Sequence, residues 1–206
     1  MENQKKRIGI IGGTFNPIHL GHLLLAETAK DNFKLDEILF IPSGCSYMKN
    51  PDKIADKDKR YEMAALAIED NPAFRISSIE VEREGNSYTC ETLEKLTESE
   101  PCTEFYFIVG ADSLFSMETW KNPQKIFSLC TVLAAVRDDK DRESLNKQIV
   151  YFQDKYGANV ELLSLKEITI SSTDIRNKIK EGKSIRYMVP DKVIAYIREN
   201  SLYYNS

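Results

Sequence analysis

Short apolar segments typical of buried strands alternate with longer helix-like segments along the 206-residue chain. Strands are predicted over Arg7–Ile11, Glu37–Ile41, Phe74–Val81, Glu104–Val109, Thr131–Val136 and Val160–Leu163. Helices are predicted over Leu20–Asn32, Lys57–Asp70, Thr89–Thr97, Pro123–Leu129, Asp141–Tyr156, Thr173–Lys180 and Asp191–Glu199. Parallel strands need crossover connections, which are usually helices. The alternation therefore predicts an α/β fold with a doubly wound parallel sheet buried on both faces.

The length of the chain predicts a single domain over residues 1–206, with a small C-terminal helical part from about residue 171. In a doubly wound sheet, ligands bind beyond the carboxyl ends of the strands. We therefore expect the functional residues in the segments that follow predicted strands. These segments are Gly12–His22, Pro42–Lys49, Gly110–Trp120 and Arg137.

Composition limits the kinds of ligand that the chain is expected to bind and indicates its cellular compartment. A net charge of −4 disfavours a broad nucleic-acid-binding surface but allows a small phosphate ligand, which needs only a few cations. The sequence holds no apolar run of about 18 residues, so no membrane span is predicted. Gly12 and Gly13 cut short the apolar run near the N-terminus, so we expect no signal peptide and a cytoplasmic protein. No C-x-x-C pair occurs, so neither a disulfide framework nor a zinc site is predicted.

The stretch "GGTFNPIHLGH", residues 12–22, carries both histidines of the chain. Gly12 and Gly13 follow the first predicted strand, where the missing Cβ lets the backbone approach a ligand closely. His19 and His22 have the i, i+3 spacing that places two residues on one face of a helix start. The helix N-terminus adds partial positive charge and N–H donors. The stretch is therefore predicted to bind an anion such as phosphate, with two imidazoles aimed at it.

Two other interpretations of the histidine pair remain open. The rings could form an ordinary core or surface pair, or they could be two ligands of a metal ion. No nearby cysteine and no H-E-x-x-H pattern supports a metal at this place in the sequence. We therefore predict no metal site built by the protein itself.

A second candidate is "ISSTDIR", residues 170–176. One Ser or Thr is enough to cap a helix, so the run of Ser171, Ser172 and Thr173 exceeds what capping requires. Hydroxyl and N–H groups at a helix start can bind phosphate oxygens, and Arg176 follows one turn later. The alternative is a plain helix cap followed by a surface arginine. The excess of hydroxyl groups favours a phosphate site.

Together the two stretches resemble the nucleotidyltransferase superfamily that is marked by H-x-G-H and I-S-S-T-x-I-R elements. Within it, the chain resembles the bacterial nicotinate mononucleotide adenylyltransferases over residues 7–203. The H-x-G-H element alone identifies only the superfamily. The segments that narrow the resemblance are "RYEMAALAIEDNP" (60–72), "VEREGNSYTCETL" (81–93), "FIVGADSLFSMETW" (107–120) and "VPDKVIAYIRENSLY" (189–203).

The resemblance implies a Rossmann-like fold and a reaction of NAD biosynthesis. In that reaction ATP and nicotinate mononucleotide are joined to give nicotinate adenine dinucleotide and pyrophosphate. It also implies that the partners are small molecules and that neither nucleic acid nor a membrane is bound. Mg²⁺ would be held mainly by the ATP phosphates. A homo-oligomer is compatible with the resemblance. The alternatives are a relative that acts on nicotinamide mononucleotide or phosphopantetheine, and a non-catalytic nucleotide-binding module.

The resemblance also implies roles for individual residues. The catalytic residues would be His19, His22 and Arg176. ATP would be bound by Gly12, Gly13, Thr14, Phe15, His19, His22, Gly110, Asp112, Ser172, Thr173 and Arg176. The second substrate would be bound by Thr14, Lys49, Tyr88, Thr89, Trp120 and Arg137, with the single tryptophan stacked on the pyridine ring.

The chain departs from the family pattern in two loops. Asn16 stands where the family usually has Asp, so a hydrogen-bonding turn residue is kept but its carboxylate is lost. The loop after the second strand reads "PSGCSYMKNPDK", residues 42–53, where a P-P-H-K-like element is usual. We expect Lys49 to supply the basic group of that element.

Overall fold

A computed structural model describes residues 5–44, 54–136, 142–165 and 169–204. The strands are β1 (Lys6–Gly13), β2 (Glu37–Pro42), β3 (Phe74–Ile76), β4 (Thr103–Gly110), β5 (Thr131–Val136) and β6 (Val160–Ser164). The helices are α1 (Leu20–Phe33), α2 (Lys57–Ile68), α3 (Thr89–Ser99), α4 (Ala111–Ser116), α5 (Pro123–Leu129), α6 (Arg142–Tyr156), α7 (Ser172–Lys180) and α8 (Asp191–Glu199). Within these ranges, no helix has the length and apolar character that crossing a membrane requires.

The strands form one six-stranded sheet in the order β3-β2-β1-β4-β5-β6. β1 pairs in parallel with β4, β4 with β5, and β5 with β6. The strand order reverses between β1 and β4, which makes this pair the topological switch point of a doubly wound sheet. The predicted α/β, Rossmann-like fold with a doubly wound parallel sheet is confirmed.

The described chain divides into two compact units. Unit 1 contains residues 5–11, 25–39, 88–136 and 142–165. Its interior is built around β4 and β5, in which residues 105–109 and 132–136 are buried. Such strands consist of continuous apolar runs, because helices cover both faces of a parallel sheet. That the chain acts as a single domain stays a prediction.

Unit 2 contains residues 12–24, 40–44, 54–87 and 169–204. Its helix α2 begins after Asp56, whose carboxylate caps the helix by accepting the N–H of Asp58. The buried face of α2 carries Met63 and Ala64, and the helix packs against α8. Unit 2 therefore joins the C-terminal helical part to the segments that follow β1 and β2.

Arg60, on the buried face of α2, ties three backbone segments of unit 2 together. The side chain is only 2% exposed. Its Nε donates to the carbonyl of Ala55 at 2.9 Å, and its two terminal nitrogens donate to the carbonyls of Thr14 at 2.7 Å and Gly44 at 3.0 Å. Thr14 follows β1 and Gly44 follows β2, so one planar guanidinium holds the ends of both strands against the start of α2.

The structure differs from the sequence prediction in two elements. The strand predicted over Phe74–Val81 ends at Ile76, so its C-terminal half is wrong. The carbonyl of Ser78 accepts the N–H of Glu82, and the Ser78 hydroxyl donates to the Glu82 carboxylate, so a local turn replaces the ladder. Helix α4 was not predicted, because six residues are too few to show a helical period.

Replacing Arg60 with Met should lower the free energy of unfolding by at least about 3 kcal/mol, because buried carbonyl groups lose their donors. Urea denaturation measures the change. Arg198, an exposed residue of α8, provides the matched control, and Arg198→Met should stay within about 0.5 kcal/mol of the unchanged protein. Equal stability of the two variants would contradict the structural role of Arg60.

Candidate active site

The β1–α1 loop, Thr14–His19, connects the end of β1 to the first residue of α1. Phe15 has a φ of 48°, in the left-handed region, and its ring is 2% exposed. A Cβ placed on Gly13 would lie 3.1 Å from that ring, so glycine suits this position because Phe15 packs over it. Gly12 is exposed and Gly13 and Thr14 are half-buried, so a ligand can approach this backbone from solvent.

The two histidines lie together at the start of α1. Their ring centroids are 3.7 Å apart with the planes tilted by 30°. His19 is 7% exposed, and His22 is half-buried with the edge of Phe15 against its ring. Nδ1 of His22 accepts the backbone N–H of His19 at 3.2 Å, so in the neutral ring the proton is on Nε2. His22 therefore has an N–H donor on the side of the ring that faces away from the loop backbone.

Gly21, between the histidines, leaves space for the ring of His19. A Cβ at this position would lie 3.0 Å from Nδ1 and 3.1 Å from Cε1 of His19. The buried ring would then have to move by a few tenths of an ångström. The glycine of the H-x-G-H element thus has a steric role in placing the first histidine.

The second element, at the start of α7, contacts the same loop within unit 2. Ser171 is the cap of α7, since its hydroxyl accepts the N–H of Asp174. The next hydroxyl, on Ser172, donates to the carbonyl of Pro17 at 2.9 Å. Capping and loop contact are therefore carried by different residues of the serine pair. That the hydroxyl groups at this helix start bind phosphate stays a prediction.

Arg176 also reaches the β1–α1 loop. One terminal nitrogen donates to the carbonyl of Asn16 at 2.8 Å, and the other to the hydroxyl of Thr173 at 3.3 Å. Both acceptors are neutral, so these bonds orient the guanidinium without cancelling its charge. The structure thus brings together the loop, both histidines, Ser172, Thr173 and Arg176 in unit 2.

Three carbonyl groups of the loop are hydrogen-bonded to side chains of neighbouring helices. Those of Thr14, Asn16 and Pro17 accept hydrogen bonds from the side chains of α2 and α7. A carbonyl oxygen repels an anion, whereas N–H groups attract one. Together with the N-termini of α1 and α7, the imidazoles and a guanidinium, this arrangement is suited to binding a polyphosphate.

Asn16, the departure from the family pattern, is 6% exposed. Its side-chain oxygen accepts the N–H of Ala55 at 3.0 Å and the hydroxyl of Tyr203 at 2.9 Å. An amide oxygen accepts two such bonds as well as a carboxylate oxygen does, and it avoids the cost of burying a charge. The position therefore serves as a hydrogen-bond acceptor, which explains why Asn fits there.

Sequence reasoning missed Arg60 and Tyr203. A signal existed for Arg60, because it shares the i, i+3, i+4 spacing of Met63 and Ala64 on the apolar face of α2. A charged residue at such a position indicates a buried, hydrogen-bonded role. Tyr203 lies after the last residue of α8 and has no local pattern that indicates its contact.

The remaining predicted site residues of the described chain belong to unit 1. Tyr88 precedes α3 and Thr89 is its first residue. The ammonium group of Lys121 lies 4.1 Å from the ring centroid of Tyr88 and 2.6 Å from a carboxylate oxygen of Glu91. The hydrogen bond that the ammonium group donates to this carboxylate raises the pKa of Lys121 above its usual value. Lys121 therefore places a positive charge over the ring beside Thr89.

Trp120 follows the 3-10 helix Met117–Thr119 and is half-buried. Its ring meets Phe107 edge-on at 6.2 Å, and its indole N–H donates to the hydroxyl of Ser116 at 3.3 Å. Gly110 ends β4, and Asp112 is the second residue of α4. Both are exposed at the carboxyl end of a central strand, where ligands of such sheets bind. Lys49 and Arg137, also predicted site residues, lie outside the described residues.

Known proteins are similar in sequence to this chain over nearly its whole length. The profile of the family described as cytidylyltransferase-like matches residues 10–178. A protein of Lachnoclostridium phytofermentans named "probable nicotinate-nucleotide adenylyltransferase" is 45% identical over 198 residues, which cover 96% of this chain and 99% of that protein. A protein of Clostridium beijerinckii with the same name is 44% identical over 202 residues, with the same shares covered.

A solved structure shares the fold. The nicotinic acid mononucleotide adenylyltransferase of Plasmodium falciparum, complexed with NaAD, superimposes with a TM-score of 0.78 over 96% of this chain and 97% of that chain. The two sequences are 21% identical, so this similarity concerns the fold. The family resemblance predicted from the motifs is confirmed by the sequence relatives. The chain belongs to the cytidylyltransferase-like family and, within it, to the nicotinate-nucleotide adenylyltransferases.

Proposed function

We propose that this chain transfers the adenylyl group of ATP to nicotinate mononucleotide, giving nicotinate adenine dinucleotide and pyrophosphate in NAD biosynthesis. The observation that carries the proposal is the convergence of both histidines and Arg176 on the β1–α1 loop. The names of relatives 45% and 44% identical over 96% of the chain support the choice of substrates. The solved relative complexed with NaAD, the product of such a reaction, supports it further.

The chemistry is an in-line displacement without a covalent enzyme intermediate. A phosphate oxygen of the mononucleotide forms a bond to the α-phosphorus of ATP. The bond from that phosphorus to the bridging oxygen breaks, and pyrophosphate leaves with the electron pair. The protein contributes position and charge, which dominate phosphoryl-type transfer.

The cationic and donor groups beside the β1–α1 loop have the following roles in this proposal. Nε2–H of His22 and the ring of His19 donate to phosphate oxygens and stabilise the charge that develops at the α-phosphorus. Arg176 neutralises the leaving pyrophosphate, and its charge is available because its bonds are to neutral oxygens. The N–H groups at the end of β1, in the loop and at the start of α7 complete the triphosphate site. Those residues are Gly12, Gly13, Thr14, Phe15, Ser172 and Thr173.

The family resemblance supports the roles of the remaining residues. Gly110 and Asp112 contact the adenosine part of ATP in this proposal. Trp120 stacks on the pyridine ring, where a flat apolar ring is a suitable partner. The other contacts to nicotinate mononucleotide are assigned to Thr14, Lys49, Tyr88, Thr89 and Arg137.

The resemblance also implies Mg²⁺. In the described part of the chain, no group of three or more His, Cys, Asp or Glu side chains is placed to hold a metal ion. The groups that contact the β1–α1 loop are imidazole, guanidinium and hydroxyl groups, whereas Mg²⁺ prefers carboxylate oxygens, phosphates and water. They do not fit a metal site built by the protein. We propose that Mg²⁺ is carried by the ATP phosphates, and no step above is assigned to it.

The chain has small-molecule partners in this proposal. A cytoplasmic location and a homo-oligomeric state stay predictions. The absence of nucleic-acid and membrane partners also stays a prediction, based on charge and on the lack of apolar runs.

Pyrophosphate release from ATP tests the function. Nicotinate mononucleotide, nicotinamide mononucleotide and phosphopantetheine are offered in parallel, and we expect the fastest release with the first. In a His22→Ala variant turnover should fall at least about 100-fold, because a donor to the transferred group is lost. Preference for either other acceptor would overturn the substrate assignment. No release with any acceptor would overturn the enzyme assignment.

A Gly21→Ala variant tests the placement of His19. The added Cβ would lie 3.0 Å from its ring. We expect turnover to fall about tenfold, because small misplacements of reacting groups are costly. The melting temperature should be unchanged or higher, since Ala is a better helix former than Gly. Leu24→Ala, at an exposed position of α1, is the control and should keep full turnover. Full turnover of Gly21→Ala would contradict the role given to His19.

A further inference from the structure

Tyr203 contacts the β1–α1 loop from the C-terminal part of the chain. Its side chain is 6% exposed, and its hydroxyl donates to the side-chain oxygen of Asn16 at 2.9 Å. Burial raises the pKa of this hydroxyl, although the nearby guanidinium groups of Arg176 and Arg60 oppose the shift. The hydroxyl therefore stays protonated at the pH values at which enzymes work, and it remains a donor.

The chain is held in an uncommon conformation to make this contact. Ser201 and Tyr203 have φ values of 50° and 70°, in the left-handed region that disfavours non-glycine residues. Between them, the N–H of Leu202 donates to the carbonyl of Ile197 at 2.9 Å, which fixes the turn after α8. Such conformations persist where the surrounding structure determines them. The turn after α8 thus directs one hydroxyl at Asn16.

Asn16 connects this hydroxyl to Arg176. Its side-chain oxygen accepts from Tyr203 and from the N–H of Ala55 at 3.0 Å, so it is held from two directions. The backbone carbonyl of the same residue accepts from Arg176 at 2.8 Å. A displacement of the Asn16 backbone would therefore move the acceptor that orients the guanidinium, and the anchored side chain opposes such a displacement. Three hydrogen bonds on one buried residue keep that acceptor in place.

We propose that Tyr203 is a positioning residue of the adenylyl transfer, which acts through Asn16 to fix the guanidinium of Arg176 where the ATP phosphates bind. The inference rests on the proposed function. It assigns a role to Tyr203 at the "SLY" end, residues 201–203, of the last segment that resembles the family. It also accounts for position 16, where the oxygen acceptor is the required group and either an amide or a carboxylate supplies it.

Tyr203→Phe removes the hydroxyl and keeps the ring. We expect the dissociation constant of a non-hydrolysable ATP analogue, measured by calorimetry, to rise about tenfold, as for loss of one well-oriented charged contact. The KM for ATP should rise by a similar factor, whereas the KM for nicotinate mononucleotide should stay within about twofold of the unchanged protein. Tyr204→Phe is the matched control, because Tyr204 is 45% exposed, and it should change none of these values.

A double-variant cycle separates positioning from a general structural role. In an Arg176→Ala background, Tyr203→Phe should leave ATP binding unchanged within about twofold, because the group that it positions is gone. The same loss in both backgrounds would overturn the inference. Unchanged ATP binding in the single variant would overturn it as well.

Variants of Asn16 test the acceptor itself. Asn16→Asp keeps an oxygen at the same place and should retain ATP affinity within about threefold, whereas Asn16→Ala should reproduce the loss seen for Tyr203→Phe. Thermal melting of each variant shows that a folded protein is compared. Equal ATP affinity of the Asp and Ala variants would overturn the inference.

The outcomes also separate this inference from the proposed function. A protein that binds ATP but releases no pyrophosphate with any acceptor would overturn the function alone, and the binding cycle would still decide the role of Tyr203. Normal turnover by the Tyr203→Phe variant would overturn the positioning role alone. A protein that does not bind ATP at all would overturn both.

Discussion

The direction of the carbonyl groups in the β1–α1 loop is the constraint on which the candidate site depends. An anion cannot bind close to a backbone whose carbonyl oxygens face it, so these oxygens need donors inside the protein. Arg60, Ser172 and Arg176 supply them. The loop therefore requires helices α2 and α7, which are far from it in sequence. The glycines allow the conformation, but the donors of these helices hold it.

The same arrangement leaves positive charge beside the loop, which is what the proposed function requires. Arg60 and Arg176 each donate to carbonyl oxygens of the loop, which carry no net charge. These bonds orient the guanidinium groups and leave their charge in place, whereas a carboxylate partner would cancel it. The amide of Asn16 likewise accepts two hydrogen bonds in a buried place, and it does so without the cost of burying a charge.

Periodic patterns predicted most of the fold. The apolar runs of β4 and β5 were recognised because strands covered on both faces need apolar side chains at every position. Helix α4 was missed because a short helix shows no period, and β3 was overextended because Ser78 forms a local turn with Glu82. Local patterns thus predict long elements well, and they fail where side chains compete with the backbone.

The sequence by itself determined the α/β alternation, the histidine pair at a helix start and the hydroxyl-rich start of a second helix, because each is a local pattern of residues. Only the tertiary structure decided how Asn16 is hydrogen-bonded and that Arg60 and Tyr203 contact the β1–α1 loop. The partners of the three decisive bonds are 46, 160 and 187 positions apart. A hydrogen bond depends on distance and angle in space, and no local pattern encodes a contact over such a separation.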